Sequence, residues 1–213
     1  SEPVQVYVVE REKPHTFGVV TRGLEGIKTC MIGREAELRQ LQDALNWATE
    51  ESETQVVTIL GEPGVGKSRL LREFDNWLEP RLDNITHFAG RATMEMQNWP
   101  FSLIRNVFAF RFEIQDSDSA AHVRDKMERG IAAFMGEDSG QKAHYIGQMI
   151  GFDFSGSPYM QNEEPAQIAQ LGLYYLTEFF AAAAAAHPTV LFLEDIHWAD
   201  DKSLDVVNYL VRS

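Results

Sequence analysis

The segment from Gly61 to Phe74, GEPGVGKSRLLREF, constrains this chain more than any other. Three glycines and a proline fall within six residues, and a lysine, a serine and a leucine-rich run follow at once. The stretch before it, Gln55 to Leu60 (QVVTIL), is continuous and apolar, which predicts a strand buried on both faces. The stretch after it predicts a helix through about Leu78, ended before Pro80. A strand, then Gly-x-x-x-x-Gly-Lys-Ser, then a helix is a phosphate-binding loop in its required context. Gly61, Gly64 and Gly66 allow torsions that a Cβ forbids, so the backbone can wrap a phosphate with inward N–H donors. The helix N-terminus adds partial positive charge and unpaired N–H groups. Lys67 brings a full charge to the β- and γ-phosphates, and Ser68 can offer its hydroxyl to Mg²⁺. Glu62, Pro63, Val65 and Arg69 complete the stretch expected to contact the nucleotide.

A phosphate loop does not organise a metal or an attacking water alone; an acidic group at the end of a neighbouring strand is needed. VLFLED (Val190 to Asp195) supplies it, because acids at a strand's carboxyl end lie where open α/β sheets bind ligands. We assign Glu194 to the metal and Asp195 to the water, the reverse assignment remaining open. Lys67, Glu194 and Asp195 are thus the expected catalytic residues, and Ser68, Glu194 and Asp195 the expected metal ligands. Asp200 or Asp201 has the character of a helix cap. No second His or Cys stands near His197 at ligand spacing, which argues against zinc.

The rest of the chain fits an α/β domain. ITHFAG (Ile85 to Gly90) predicts a second core strand. MIGREAELRQLQDALNWATEE places Leu38, Leu41, Leu45 and Ala48 on one helical face. From Pro100 to His187 the pattern is mostly helical with two breaks, the later one at GFDFSGSPYMQNEEP, and a long helix from Pro165 is stopped by Pro188. The net charge of -13 disfavours broad contact with nucleic acid or anionic lipid. Cys30 is the sole cysteine, so no internal disulfide can form. No apolar run approaches a membrane span, and FFAAAAAAH is small and helix-favouring. These features point to a cytoplasmic protein without a membrane partner. The chain begins SEPV, without methionine, and reads as a piece of a longer polypeptide.

MIGREAEL, GEPGVGKSRLL and VLFLEDIHWADDKSL, in this order, resemble the STAND class of P-loop ATPases. They are most similar to bacterial signalling ATPases fused to class III nucleotide cyclases or to transcriptional regulators. WPFSLIRNVF (Trp99 to Phe108) resembles a proline-aromatic segment of the same proteins, and the likeness covers about residues 30–213. It implies an AAA+-like P-loop NTPase fold, a three-layer α/β sandwich on a parallel sheet, with a helical insertion at about 100–187. The strands that follow the acidic strand in those proteins would lie beyond Ser213, so an incomplete sheet and poor turnover are expected. The implied activity is a regulatory switch that binds ATP or ADP with Mg²⁺, hydrolyses slowly and rearranges attached domains or self-associates. By the same resemblance Ile32, Gly33 and Arg34 lie over the adenine end. SEPVQVYVVE resembles the last strand of an adenylate or guanylate cyclase domain, which makes residues 1–29 its tail plus a linker. The alternatives are a P-loop phosphotransferase acting on a small molecule and a remodelling AAA+ ATPase acting on DNA or protein.

Overall fold

The computed structural model describes residues 31–212 apart from Asp83 and Asn162. The strand expected at Val4 to Val9, the linker and Cys30 lie outside the described residues. Two strands, β1 (Thr86–Arg91) and β2 (Thr189–Glu194), pair in parallel, with Phe88 opposite Leu191 and Arg91 opposite Glu194. Side chains alternate across a strand, and here the alternation sorts the core into two sides. Ala89 and Phe192 join Leu41, Leu70, Phe74 and Leu78 in one cluster, built with α1 (Glu35–Glu51) and α2 (Lys67–Leu78). Phe88 faces the other way, into a larger cluster that takes in α3 (Ser102–Arg111), α4 (Ala120–Met135), α5 (Gly140–Met149), α6 (Pro165–Ala186) and α7 (Asp201–Arg212). Helices therefore cover both faces of the parallel pair, the arrangement of an α/β fold.

The larger cluster is aromatic at its centre. Phe88, Phe108 and Phe179 are fully buried, and Phe88 meets Phe179 edge-on with ring centroids 5.7 Å apart. Gly90 lets α3 lie close to β1, since a Cβ there would meet Val107 Cγ2 at 2.4 Å. The backbone N–H of Arg91 turns away from β2 and donates to Asn106 Oδ1 of α3 at 2.8 Å. Farther out, His144 of α5 is held between Ser157 Oγ (2.6 Å) and Glu128 Oε1 of α4 (2.5 Å). The order Ser–His–Glu resembles a catalytic relay, but Ser157 is 1% exposed and serves as a buried stitch between loop and helices.

Two expectations are corrected. Residues 55–60 form no strand among the described residues; Val56, Val57 and Leu60 are exposed, Leu60 by 86%. The residue types favour a pleated, buried surface, but these residues pair with neither strand of the described sheet. Only Ile59 of this run packs partly against the α1–α2 cluster. The second correction concerns length: the alanine run belongs to α6, which at 22 residues is long and apolar enough to cross a membrane by length and composition. Leu176, Phe179 and Ala183 on this helix are buried in the protein core.

Asp200 carries the join between α3 and α7. Its carboxylate accepts from the backbone N–H of Phe101 (2.8 Å), Ser102 (2.9 Å) and Ser203 (2.9 Å), and from the hydroxyls of Ser102 and Ser203. Ser203 Oγ in turn accepts from Leu103 N at 3.2 Å. One buried carboxylate thus caps two helices that start far apart in sequence. Phe101 takes a left-handed φ of 62° to enter α3, a conformation that a bulky side chain tolerates only when held. Burial raises the carboxyl's pKa, but the hydrogen bonds from Ser203, Phe101 and Ser102 outweigh it and hold it below the ordinary value. Replacing Asp200 by Ala is expected to cost about 2–4 kcal/mol, a lost cap plus donors left buried. Because the folded pKa is depressed, this contribution is present above the unfolded value near 3.8 and is lost as pH falls through the folded one. Chemical denaturation of the wild type and Asp200→Ala at pH 7 and below pH 4 checks both, with the gap narrowing in acid.

Candidate functional site

The glycine loop and the acidic strand end meet. α2 begins at Lys67, directly after Gly66, whose φ of 93° is the left-handed region that favours glycine; Gly64 has the same sense at 86°. β2 ends at Glu194, and Ser68 Oγ donates to Glu194 Oε2 at 3.1 Å across 126 residues of sequence. Glu194 is 4% exposed, and its other oxygen, Oε1, is buried with no hydrogen-bond partner among the described residues. Burial pushes its carboxyl pKa up, against the pull of the Ser68 hydroxyl and of Arg91. An orphaned buried carboxylate oxygen beside a hydroxyl is a hard-oxygen donor pair, which suits Mg²⁺. No group of three or more His, Cys, Asp or Glu side chains positioned to hold a metal occurs among the described residues. Mg²⁺ takes one or two protein ligands and fills its shell with phosphate oxygens and water.

Asp195 is placed differently from its neighbour. It is the first residue past β2, with a left-handed φ of 54°, and its side chain is partly exposed. Arg91, the last residue of β1, aims both Nε and a terminal nitrogen at Asp195 Oδ2, each at 2.8 Å. Arg91 escaped the reading of the sequence. The signal was its position at the end of the expected second strand, since two parallel strands in register end side by side. Strand register is not legible from residue types alone, so the pairing is hidden in the sequence.

The remaining expected residues divide. Lys67 Nζ donates to the carbonyls of Gly61 (2.8 Å) and Glu62 (3.0 Å), which folds the ammonium over the loop. Arg34 reaches the same loop from the start of α1, its guanidinium donating to Val65 O at 2.8 Å. Gly33 N donates to Glu35 Oε1, and Ile32 stands 87% exposed beside it. Pro63 is exposed at the loop's edge. Arg69 pairs along its own helix with Glu73 at 2.6 Å, one turn on. Downstream, Trp198 packs with Ala92, Leu103 and Ala199, a structural position, and the His197 ring lies 4.9 Å from it.

Loop, helix start and the adjacent acids Glu194 and Asp195 at the end of β2 define a P-loop nucleotide-binding module on an α/β scaffold. Comparison with known families agrees: residues 31–213 match the model of the AAA ATPase domain. The chain belongs to that family. An uncharacterized protein of Rhizobium meliloti (strain 1021) is 26% identical over 189 residues, covering 85% of this chain. The chain spans only 17% of that relative's length. No solved structure matches.

Ser68→Ala removes the hydroxyl from the Glu194 contact while leaving the helix start intact. It is expected to weaken nucleotide binding by about 10-fold in the presence of Mg²⁺, the scale of a charge-assisted hydrogen bond, and far less in EDTA. Fluorescent-nucleotide titrations in both buffers test this; an equal loss with and without Mg²⁺ would count against a metal role for Ser68.

Proposed function

We propose that this protein is an ATP- and ADP-binding regulatory switch module that uses Mg²⁺ and hydrolyses slowly. The observation that carries it is the Ser68–Glu194 contact, which brings a phosphate-loop hydroxyl to a buried strand-end carboxylate with a free oxygen. Membership in the AAA ATPase domain family supports nucleotide binding. In this reading the loop N–H groups and the first turn of α2 bind the phosphates. Lys67 leaves the carbonyls of Gly61 and Glu62 for the phosphate oxygens, which offer a stronger, charged acceptor. Ser68 and Glu194 hold Mg²⁺, which would neutralise charge on the phosphates. Asp195 orients the attacking water, and Arg91 fixes where its carboxylate points. Ile32, Gly33 and Arg34 lie at the base end of the nucleotide, with Arg34 bracing the loop through Val65.

The wider assignment is to the STAND class of multidomain bacterial signalling proteins, with a cyclase-like domain before this module. Its support is the run of motifs from Met31 to Leu204 and the small share of a much longer relative that this chain covers. Partners in this reading are the nucleotide and the flanking domains of the same polypeptide, with self-association as a mode of signalling.

Calorimetric titration of the protein with ATP·Mg²⁺ and GTP·Mg²⁺, beside Lys67→Ala, tests the assignment. Micromolar ATP affinity, weaker GTP affinity and a loss of at least about 10-fold in the variant are expected, as for one charge-assisted contact. Equal ATP affinity in the variant would sink the phosphate-loop role.

A further inference from the structure

The phosphate-loop helix meets the sheet through polar side chains at two levels. Ser68 in its first turn bonds Glu194 of β2; two turns on, Asp75 faces His87 of β1, with Oδ1 3.9 Å from Nε2. Asp75 is 7% exposed, and His87 Nε2 is buried with no hydrogen-bond partner among the described residues. The surroundings are aromatic: His87 stands edge-on to Phe192 at 5.7 Å, and Phe74 stacks on Trp77. A gap of 3.9 Å is too long for a hydrogen bond, yet close enough for the charge of one group to govern the protonation of the other.

The charged groups around the pair disfavour both extremes of its proton count. Glu79, the residue just after α2, faces Asp75, and Arg111 at the end of α3 faces His87. β2 contributes Val190 and Phe192, which are uncharged. Arg81, beyond α2, lays its guanidinium over Trp77 at 4.0 Å and donates to the Trp77 carbonyl. With no proton on the pair, a buried carboxylate faces Glu79. With two, an imidazolium faces Arg111. We propose that Asp75 and His87 form a one-proton site between α2 and the sheet, so that the seating of the phosphate-loop helix follows pH in the mildly acidic range.

Burial, then Glu79, pushes the Asp75 carboxyl up to about 6. Burial, then Arg111, holds His87 below its ordinary value. An acid with a raised folded pKa contributes stability that is complete below its unfolded pKa and is lost as pH rises through the folded one. A histidine with a lowered folded pKa contributes stability that is present above 6.5 and is lost as pH falls. Because Ser68 and Asp75 share one helix, a change in its seating also moves the Ser68–Glu194 contact. That second consequence rests on the nucleotide-binding reading; the proton site itself does not.

The test is the pH dependence of unfolding for wild type, Asp75→Asn and His87→Phe between pH 4 and 8, by denaturant titration. Asn copies the protonated acid and does not ionise. Relative to it, the wild type is expected to lose stability from pH 4 to just above 6, by up to about 100-fold in the folded-to-unfolded ratio for a shift of two pKa units. Relative to His87→Phe, the wild type is expected to lose stability below pH 6.5. Parallel profiles for wild type and Asp75→Asn overturn the site. Should either variant fold poorly, the side-chain NMR titrations of Asp75 and His87 in the wild type decide: ordinary midpoints overturn the proposal, displaced and mutually dependent ones uphold it. Binding of ADP·Mg²⁺, measured at pH 5.5 and 7.5, adds a separate arm. A ratio of wild-type to Asp75→Asn affinity that changes several-fold upholds the link to the phosphate loop, and a constant ratio removes it. Absence of binding in both proteins at both pH values counts against the nucleotide reading, and the stability profiles still judge the proton site.

Discussion

Parallel strands cannot be joined by a tight turn, because the chain must travel back to its starting end before the second strand begins. Here the return leg from β1 to β2 occupies residues 92–188 and contains α3, α4, α5 and α6. The pairing of Thr86 with Thr189 through Arg91 with Glu194 is therefore the tie on which the large helical side of the molecule hangs. It also places two strand ends side by side, so that Arg91, Glu194 and Asp195 come together without any of them being near in sequence to Lys67 or Ser68. Phe88 and Phe192 show how six-residue strands suffice: each is buried, on opposite faces, against separate helical layers.

Buried polar groups add what apolar packing leaves undetermined. The Asp200 carboxylate fixes where α3 and α7 start relative to each other, and a shift of either helix by one residue would strand its donors. Glu194 shows the opposite condition, a carboxylate with one oxygen bonded and one without a protein partner. Such a group is a cost to folding unless something else meets it. The contrast separates an acid whose bonding is complete within the protein from one that is not.

Local signals were legible where residue type and backbone geometry coincide. Gly64 and Gly66 have the left-handed torsions that their clustering implied, and β1, β2 and α2 lie within a residue or so of the expected segments. Asp200, suspected as a cap from its place before α7, is one. What was hidden depends on distant partners. Residues 55–60 have the composition of a buried strand, but composition does not decide which strand, if any, a segment pairs with. α5 was not separated from the surrounding helical pattern, because its short run carries Gly140 and Gly147 and little periodicity. Nothing in the sequence singles out Arg91 or Asp75, because their partners lie more than ten residues away on other elements. The nucleotide-binding stretch was thus readable as a motif, whereas the bond from Ser68 to Glu194 was not.

The side-chain amide of Asn106 has a consequence for the sheet as a whole. By accepting the outward N–H of Arg91, it occupies the last hydrogen-bonding position on the far side of β1 and leaves α3 lying across that end. Growth of the sheet is thereby made directional: at this end, a further strand beside β1 finds the Arg91 N–H already taken, while β2 faces no such plug among the described residues. A strand added there would run along the backbone that ends in Glu194 and Asp195. Enlargement of the sheet and access to the acidic strand end are therefore geometrically the same event.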